Sequence, residues 1–166
     1  MKQINYLSAM PELVERMSDR GVFLTVGGAK PNTMTIGWAT IGYSWYRPVF
    51  MAMVRPSRYT YDLLNQSGRF TVSVPRAGEL LSELAFVGTK SGRDVDKFSG
   101  HGLTAAPAQM PDSFIVAQCP LHFECAVIDT EDMLPDALSE AIAKRAYPTG
   151  DLHRLFFGEI LHCYTT

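Results

Sequence analysis

The sequence lacks the features that would place a protein in a membrane or on nucleic acid. No apolar run approaches the roughly 20 residues that a membrane-spanning helix needs, and the N-terminal stretch MKQINYLSAMPELVERM lacks the apolar core of a signal peptide. The formal net charge is only -2, so no overall attraction to nucleic acid or to an anionic membrane is expected. We therefore expect a soluble, cytoplasmic protein that binds neither.

Cysteine is scarce as well, with only Cys119, Cys125 and Cys163 in the chain. An odd number of cysteines in a chain expected to be intracellular favours reduced thiols over a disulfide framework. The spacing Cys119-x2-His122-x2-Cys125 suggests a metal site, but in a strand His122 and Cys125 would point to opposite faces. We therefore predict no metal site.

Two common catalytic and cofactor motifs are also missing. The chain has no GxGxxG fingerprint, so any nicotinamide must bind by a route other than a Rossmann fold. It has no GxSxG, and nothing in the sequence pairs a cysteine with a histidine base. These absences argue against a covalent nucleophile.

What the sequence does contain is enough apolar residues for one packed core. Of its 166 residues, 46% are apolar and 19% are charged, and no tract is compositionally biased. A chain of this size buries most of its apolar surface as a single unit. We therefore predict one domain over residues 1–166.

The chain alternates between predicted strands and short helices, which indicates a mainly β fold. Phe and Val alternate with Thr and Ser over 70–74, the pattern of a half-buried strand. About six strands in mostly consecutive order favour an antiparallel β-barrel with short helices over a doubly wound parallel sheet. The first predicted strand begins at Val22, and the others span 34–46, 48–54, 70–74, 121–128 and 155–164. The predicted helices span 11–19, 60–66, 79–86 and 136–145.

The segment 48–75 is the centre of the candidate site. An apolar strand ends in the turn Arg55-Pro56-Ser57-Arg58, and a short helix is predicted to begin near Thr60. The Thr60 hydroxyl could cap that helix, whose first-turn N–H groups attract an anion, and Arg55 could add a bidentate guanidinium. One interpretation is a phosphate site; the other is a plain helix cap beside solvated arginines.

Two further stretches carry groups suited to a planar ligand. Residues 32–35 follow a Lys-Pro turn and precede a strand that contains Trp38, so they offer amide donors at a loop edge and apolar side chains for ring faces. The alternative is a polar turn that leads into a core strand. The charged loop 89–98 could close over a cofactor, or it could be a solvated loop in which residues 94–97 start a small helix.

Four stretches, taken in order, resemble the flavin reductase-like, flavoredoxin-type family of FMN-binding split barrels. They are 27–75 (GGAKPNTMTIG through RFTVSVP), 88–98 (GTKSGRDVDKF), 119–128 (CPLHFECAVI) and 147–160 (YPTGDLHRLFFGEI). The resemblance implies a split β-barrel that works as a homodimer. It also implies one FMN per subunit, bound near the dimer interface.

The resemblance assigns a set of cofactor-binding residues. The phosphate grip falls on Arg55, Ser57 and Thr60, which the helix-terminus argument also selects. The segment bordering the isoalloxazine ring would be Asn32, Thr33, Met34 and Thr35, with Trp38 behind it. The loop closing over the flavin from the side would contribute Lys90, Ser91, Gly92, Asp96, Lys97 and Phe98.

The implied chemistry is flavin-dependent oxidoreduction, with His153 as the candidate catalytic residue. His153 matches the histidine of the family's GD(x)H motif, and its titration range suits proton handling; a structural hydrogen bond at a strand start is the alternative. In an NAD(P)H:flavin reductase, nicotinamide stacks on FMN and passes hydride to flavin N5. The alternatives are a flavoredoxin-type electron-transfer protein reduced by a protein partner, and a flavin- or haem-binding storage or sensor protein.

Overall fold

The computed structural model describes all 166 residues, from Met1 to Thr166. No helix in it is long and apolar enough to cross a membrane. The strands are β1 (Lys2–Gln3), β2 (Val22–Val26), β3 (Asn32–Ile36), β4 (Ala39–Ser44), β5 (Arg47–Val54), β6 (Arg69–Val74), β7 (Ala105–Pro107), β8 (Phe114–Val116), β9 (Leu121–Asp132) and β10 (Arg154–Thr165). The helices are α1 (Tyr6–Asp19), α2 (Tyr59–Ser67), α3 (Leu81–Thr89) and α4 (Glu140–Ala146), with a 3-10 turn at Pro135–Ala137.

The strands form one main sheet and a separate β7–β8 pair. The main sheet runs β3-β2-β6-β9-β10-β5-β4, with β1 also paired to β10. Every ladder is antiparallel, so the predicted mainly β, antiparallel architecture is confirmed. The expectation of about six strands in mostly consecutive order is wrong, because the long β9 and β10 insert between strands that come earlier in the chain. No ladder joins β3 to β4, the two ends of the path.

Strand β6 is buried on both faces, so the prediction of a half-buried strand is wrong. Its apolar residues enter the main core, as the alternation requires. Its polar residues are covered by β8: the Thr71 hydroxyl donates to the Phe114 carbonyl at 2.6 Å, and the Ser73 hydroxyl accepts from the Val116 N–H at 3.1 Å. Hydroxyls with such partners can be buried at little cost.

Helix α1 begins five residues before the predicted start at Pro11. The Asn5 side chain accepts a hydrogen bond of 2.9 Å from the Leu7 N–H and caps the helix at Tyr6. Pro11 therefore lies inside the helix instead of in its first turn. The predicted stop at Gly21 is confirmed, since Gly21 has φ +91° and only glycine adopts that conformation at no cost.

The predicted strand 34–46 is divided into β3 and β4 by Gly37 and Trp38. Strands β4 and β5 then form a hairpin whose two-residue turn is Trp45 and Tyr46. Both turn residues have positive φ, 51° and 62°, which fits the twist of a tight hairpin but is strained for bulky side chains. Two large aromatics are thereby held at an exposed tip.

Two predicted helices are displaced and one alternative helix does not form. The helix expected over 79–86 is α3, and the helix expected over 136–145 is split into the 3-10 turn and α4. Ser139 causes the split, because its hydroxyl accepts a hydrogen bond from the Ile142 N–H and caps a new helix. Residues 94–97 form turns and bends and do not start a helix.

Candidate functional site

Two adjoining cavities open beside the turn between β5 and α2, and both are lined by Met34 and Arg58. The first, which we call the aromatic cavity, has a volume of about 200 Å³ and is walled by β3, the Gly37–Trp38 break and His153. The second, the cationic cavity, has a volume of about 70 Å³ and lies between the start of α2 and the loop after α3. Together they make an elongated site with chemically different ends.

The structure brings eleven of the fifteen sequence-predicted site residues to these cavities. The aromatic cavity is lined by Met34, Thr35, Trp38, Arg55 and His153. The cationic cavity is lined by Met34, Ser57, Thr60, Lys90, Ser91, Gly92 and Lys97. Asn32, Thr33, Asp96 and Phe98 line neither cavity.

Asn32 and Thr33 lie beneath the site, with their side chains bonded to protein groups. The Asn32 amide donates to the Thr60 hydroxyl at 2.9 Å and so joins β3 to α2. A Cβ on Gly92 would lie only 2.0 Å from Asn32 Oδ1, so the loop carrying Gly92 approaches this amide as closely as only glycine allows. The Thr33 hydroxyl bonds with Thr25 at 3.0 Å inside the core.

Asp96 and Phe98 hold the loop after α3 in place. The Asp96 carboxylate accepts from the Phe98 N–H at 3.0 Å and lies 3.7 Å from Lys30 Nζ. The Phe98 ring packs against the second hydrophobic cluster, which includes Phe23 and Leu84. These contacts fix the residues on both sides of Lys97, which itself lines the cationic cavity.

The prediction that Thr60 caps helix α2 is wrong. Arg58 occupies the cap position without a side-chain hydrogen bond, and Thr60 is the second residue of the helix. The Thr60 side chain is only 1% exposed, and its hydroxyl accepts from Asn32 instead of from the helix backbone. In the first turn of α2 the Tyr61 N–H donates to the Arg58 carbonyl at 3.0 Å, whereas the N–H groups of Tyr59 and Thr60 keep their capacity to bind an anion.

Lys97 gives the cationic cavity its charge. Its residue is only 4% exposed, its ammonium donates to the Val87 carbonyl at 2.8 Å, and no carboxylate pairs with it. Burial, and secondarily the positive charge of Arg58, lower the pKa of Lys97 from 10.5 to about 8. Since neither cavity is lined by Asp or Glu, an anionic ligand would relieve this unbalanced charge.

Arg55 lies at the aromatic cavity, away from the cationic one. Its guanidinium donates to the carbonyls of Asp151 and Ala146, both at 3.0 Å, and sits 5.0 Å from the centroid of the Tyr147 ring. These contacts tie Arg55 to the segment before β10. Arg58, which the candidate site residues omitted, lies between the two cavities; its place in the same RPSR turn was the available signal.

His153 is joined to Tyr147, a second residue that sequence reasoning missed. His153 Nδ1 and the Tyr147 hydroxyl are 2.7 Å apart, and the Trp38 ring lies 5.4 Å from the imidazole and 6.2 Å from the Tyr147 ring. Burial, followed by the charge of Arg55, lowers the pKa of His153 from 6.5 to about 4. The expectation that His153 titrates near neutral pH is therefore wrong, and its imidazole is neutral there.

The cysteine and histidine pattern of β9 forms no metal centre. Cys119, Cys125 and Cys163 are free and buried, and burial raises the pKa of each thiol. No group of three or more His, Cys, Asp or Glu side chains is arranged to hold a metal ion. The His122 ring instead bonds to Ser73, with Nδ1 3.0 Å from the serine hydroxyl.

A family model described as the flavin reductase like domain matches residues 15–166, nearly the whole chain. The chain belongs to this flavin reductase-like family. A relative in Archaeoglobus fulgidus, itself an uncharacterised protein, is 30% identical over 156 residues, which cover 93% of this chain and 77% of the relative. The resemblance seen in the sequence is thus confirmed at the level of the family.

Solved structures share the fold of this flavin reductase-like chain. Flavoredoxin from Methanosarcina acetivorans superposes with a TM-score of 0.68 at 24% identity, covering 88% of this chain and 68% of that one. An NADH:FAD oxidoreductase from Streptomyces globisporus has a TM-score of 0.68 at 23% identity, with coverage of 88% and 75%. An FMN-binding protein from Thermus thermophilus has a TM-score of 0.68 at 21% identity, with coverage of 88% and 71%.

The two cavities of this family member offer different chemistry at their two ends. A buried Lys97 without a carboxylate partner and the N–H groups of Tyr59 and Thr60 suit a phosphate at one end. Trp38 is 47% exposed and Met34 bridges the cavities, which suits the edge and face of a planar ring at the other end.

Proposed function

We propose that this protein is an FMN-dependent oxidoreductase that takes hydride from NAD(P)H. The observation that carries the proposal is the cationic cavity, which no carboxylate lines and which adjoins the aromatic cavity at Met34 and Arg58. A phosphate at one end and a conjugated ring at the other are the two ends of FMN. Membership of the flavin reductase-like family supports the same ligand.

The proposed phosphate contacts come from Ser57, Arg58, Lys97 and the first turn of α2. Lys97 and Arg58 supply charge, the helix turn supplies N–H donors, and Ser57 supplies a hydroxyl. Lys90 and Ser91 lie on the opposite wall. The bond between the Asn32 and Thr60 side chains and the close approach of Gly92 to Asn32 hold these two walls together.

The proposed ring contacts come from Met34, Thr35 and Trp38. Bound flavin accepts hydride at N5, and the protein fixes the geometry of that transfer. His153 is neutral at pH 7 with Nδ1 held by Tyr147, so its Nε2 can exchange a hydrogen bond with substrate without adding charge. The Tyr147 hydroxyl holds His153, and Arg55 in turn packs over the Tyr147 ring and bonds to the Ala146 carbonyl.

Spectroscopy with anaerobic reduction tests this function. The purified protein is expected to bind FMN, or to be stimulated by added FMN, and to bleach the flavin band when NADH or NADPH is added. Absence of bound flavin together with absence of any FMN stimulation would refute the proposal. Riboflavin serves as a matched ligand that lacks only the phosphate.

A flavoredoxin-type electron-transfer protein is the second candidate. The shared fold with a flavoredoxin and the half-exposed Trp38 at the cavity favour it, because a redox partner could then approach the ring edge. Such a protein would bind FMN yet oxidise NADH and NADPH negligibly. The reduction experiment therefore separates the two candidates by whether nicotinamide alone bleaches the flavin.

We further propose that the β4–β5 hairpin forms a homodimer interface. Tyr43, Trp45 and Tyr46 are 66%, 54% and 93% exposed, and strained turn residues of this size commonly have a functional reason to persist. Trp38 precedes β4, so an interface there would lie near the aromatic cavity. Light scattering of the wild type and of Tyr46→Ser tests this, with a dimer expected only for the first.

Residues 1–166 are proposed to act as a single domain in the cytoplasm. One main core, which draws residues from six of the ten strands and from two helices, supports the single domain. Three buried, unpaired thiols suit a reducing compartment. Limited proteolysis that released a stable fragment would contradict the single domain.

A further inference from the structure

The segment between α4 and β10 connects the two cavities through Asp151. The Asp151 carboxylate accepts a hydrogen bond of 2.7 Å from the hydroxyl of Ser57, which lines the cationic cavity. The Asp151 carbonyl accepts one of 3.0 Å from Arg55, which lines the aromatic cavity. Asp151 itself lines neither cavity.

The Ser57 hydroxyl has one proton and therefore donates one hydrogen bond at a time. In the structure it donates to Asp151. An ionised phosphate offers mainly acceptor oxygens, so a phosphate in the cationic cavity would require the same proton. A carboxylate and a phosphate on either side of one hydroxyl also repel each other.

We propose that Asp151 is a specificity-determining residue that competes with the flavin phosphate for Ser57. The inference rests on the proposed function, since it takes the phosphate of FMN as the anion in the cationic cavity. Asp151 thereby lowers the preference for FMN over riboflavin. The competition also favours release of FMN, as a diffusible flavin substrate requires.

The neighbouring cations do not cancel this competition. Arg55 Nη1 lies 3.9 Å from the Asp151 carboxylate, but its hydrogen bonds go to backbone carbonyls. The Asp151 side chain is 34% exposed, so solvent screens its charge in part and the expected effect is moderate.

Asparagine is the appropriate replacement at this position. Asp151 has φ +55° and follows Gly150 at φ +76°, and asparagine tolerates this left-handed region as well as aspartate does. Asp151→Asn thus removes the charge while keeping the backbone and a neutral acceptor for Ser57. An alanine would confuse loss of charge with backbone strain.

The test compares dissociation constants for FMN and riboflavin, measured by quenching of flavin fluorescence. Asp151→Asn is expected to raise the ratio Kd(riboflavin)/Kd(FMN) roughly three- to tenfold. Ring contacts and any loss of folded protein affect both flavins and cancel in the ratio. Asp129→Asn, which removes an exposed charge on β9 away from both cavities, is expected to leave the ratio unchanged.

A double-mutant cycle with Ser57→Ala locates the competition. In the Ser57→Ala background, Asp151→Asn is expected to change the logarithm of the ratio by less than half of the change that it causes when Ser57 is present. A ratio that stays constant or falls in Asp151→Asn overturns the inference, as does an undiminished effect without Ser57. If the wild type binds neither flavin, the proposed function fails and the inference fails with it. If the wild type binds FMN but Asp151→Asn does not raise the ratio, only the inference fails.

Discussion

Replacing Lys97 with methionine should weaken FMN binding while leaving riboflavin binding unchanged. Lys97 is 4% exposed at the cationic cavity and has no carboxylate partner, so its interaction with a phosphate is poorly screened. A charge-assisted hydrogen bond of this kind contributes about 1.5 to 3 kcal/mol, or roughly a 10- to 150-fold change in Kd. Methionine has a similar length and no charge, so it preserves most of the packing.

The dependence on pH provides a second and sharper readout. The folded protein releases the Lys97 proton near pH 8, whereas the unfolded chain holds it to about pH 10.5. Between these values Lys97 binds more protons in the unfolded state, so its own contribution to the free energy of unfolding without ligand should rise by about 1.4 kcal/mol per pH unit. The three buried thiols, whose pKa values burial raises, contribute with the opposite sign, so the Lys97 contribution is measured as the difference between the wild type and Lys97→Met. FMN affinity should change in the opposite direction, because the charge that binds phosphate is lost above pH 8.

Fluorescence titrations from pH 6 to 10 and urea denaturation measure the two effects on the same protein. Lys97→Met should abolish the loss of FMN affinity above pH 8 and remove the Lys97 contribution to the pH dependence of stability, and the riboflavin titration corrects for ionisation of the flavin ring itself. Lys90→Met is the matched control, since Lys90 lines the same cavity but is exposed. Equal losses for FMN and riboflavin would refute the reasoning and make Lys97 a structural residue.

Two further predictions concern the loop and the buried histidines. Gly92→Ala should weaken FMN and riboflavin together by displacing the loop, because its Cβ would lie 2.0 Å from Asn32 Oδ1; unchanged binding would contradict this contact. Burial lowers the pKa of His122 and of His153 from 6.5 to about 4. Between pH 4 and 6.5 these two histidines therefore bind protons in the unfolded chain but not in the folded protein. The free energy of unfolding should therefore fall by about 1.4 kcal/mol per pH unit for each histidine as the pH drops from 6.5 to 4. If the urea midpoint of His153→Gln depended on pH as steeply as that of the wild type, the contribution assigned to His153 would be contradicted.

Local features of the site could be predicted because each depends on neighbours in the chain. The strand that ends before Arg55 and the stop at Gly68, which adopts φ +62° at the end of α2, are consequences of side-chain periodicity and glycine geometry. The Arg-Pro-Ser-Arg turn between them follows from the same short stretch. Four motifs in order were enough to indicate the family.

The roles of individual side chains could not be predicted in the same way. Thr60 was expected to cap α2, but its partner is Asn32, 28 positions away. Arg55 was expected at the phosphate, but it bonds to carbonyls more than 90 positions later. Such partners are chosen by packing of distant segments, which local propensity does not encode.

By itself, the sequence determined a mainly β chain with short helices, a turn after Val54 that leads into a helix, and membership of a flavin reductase-like family. Only the tertiary structure decided the strand order, the burial of Lys97 beside Arg58 and the neutrality of His153. The reason is that charge, burial and hydrogen bonding at this site arise where β3, α2, α3 and the segment before β10 meet. Sequence patterns describe each of these elements alone, whereas the chemistry depends on the distances between them.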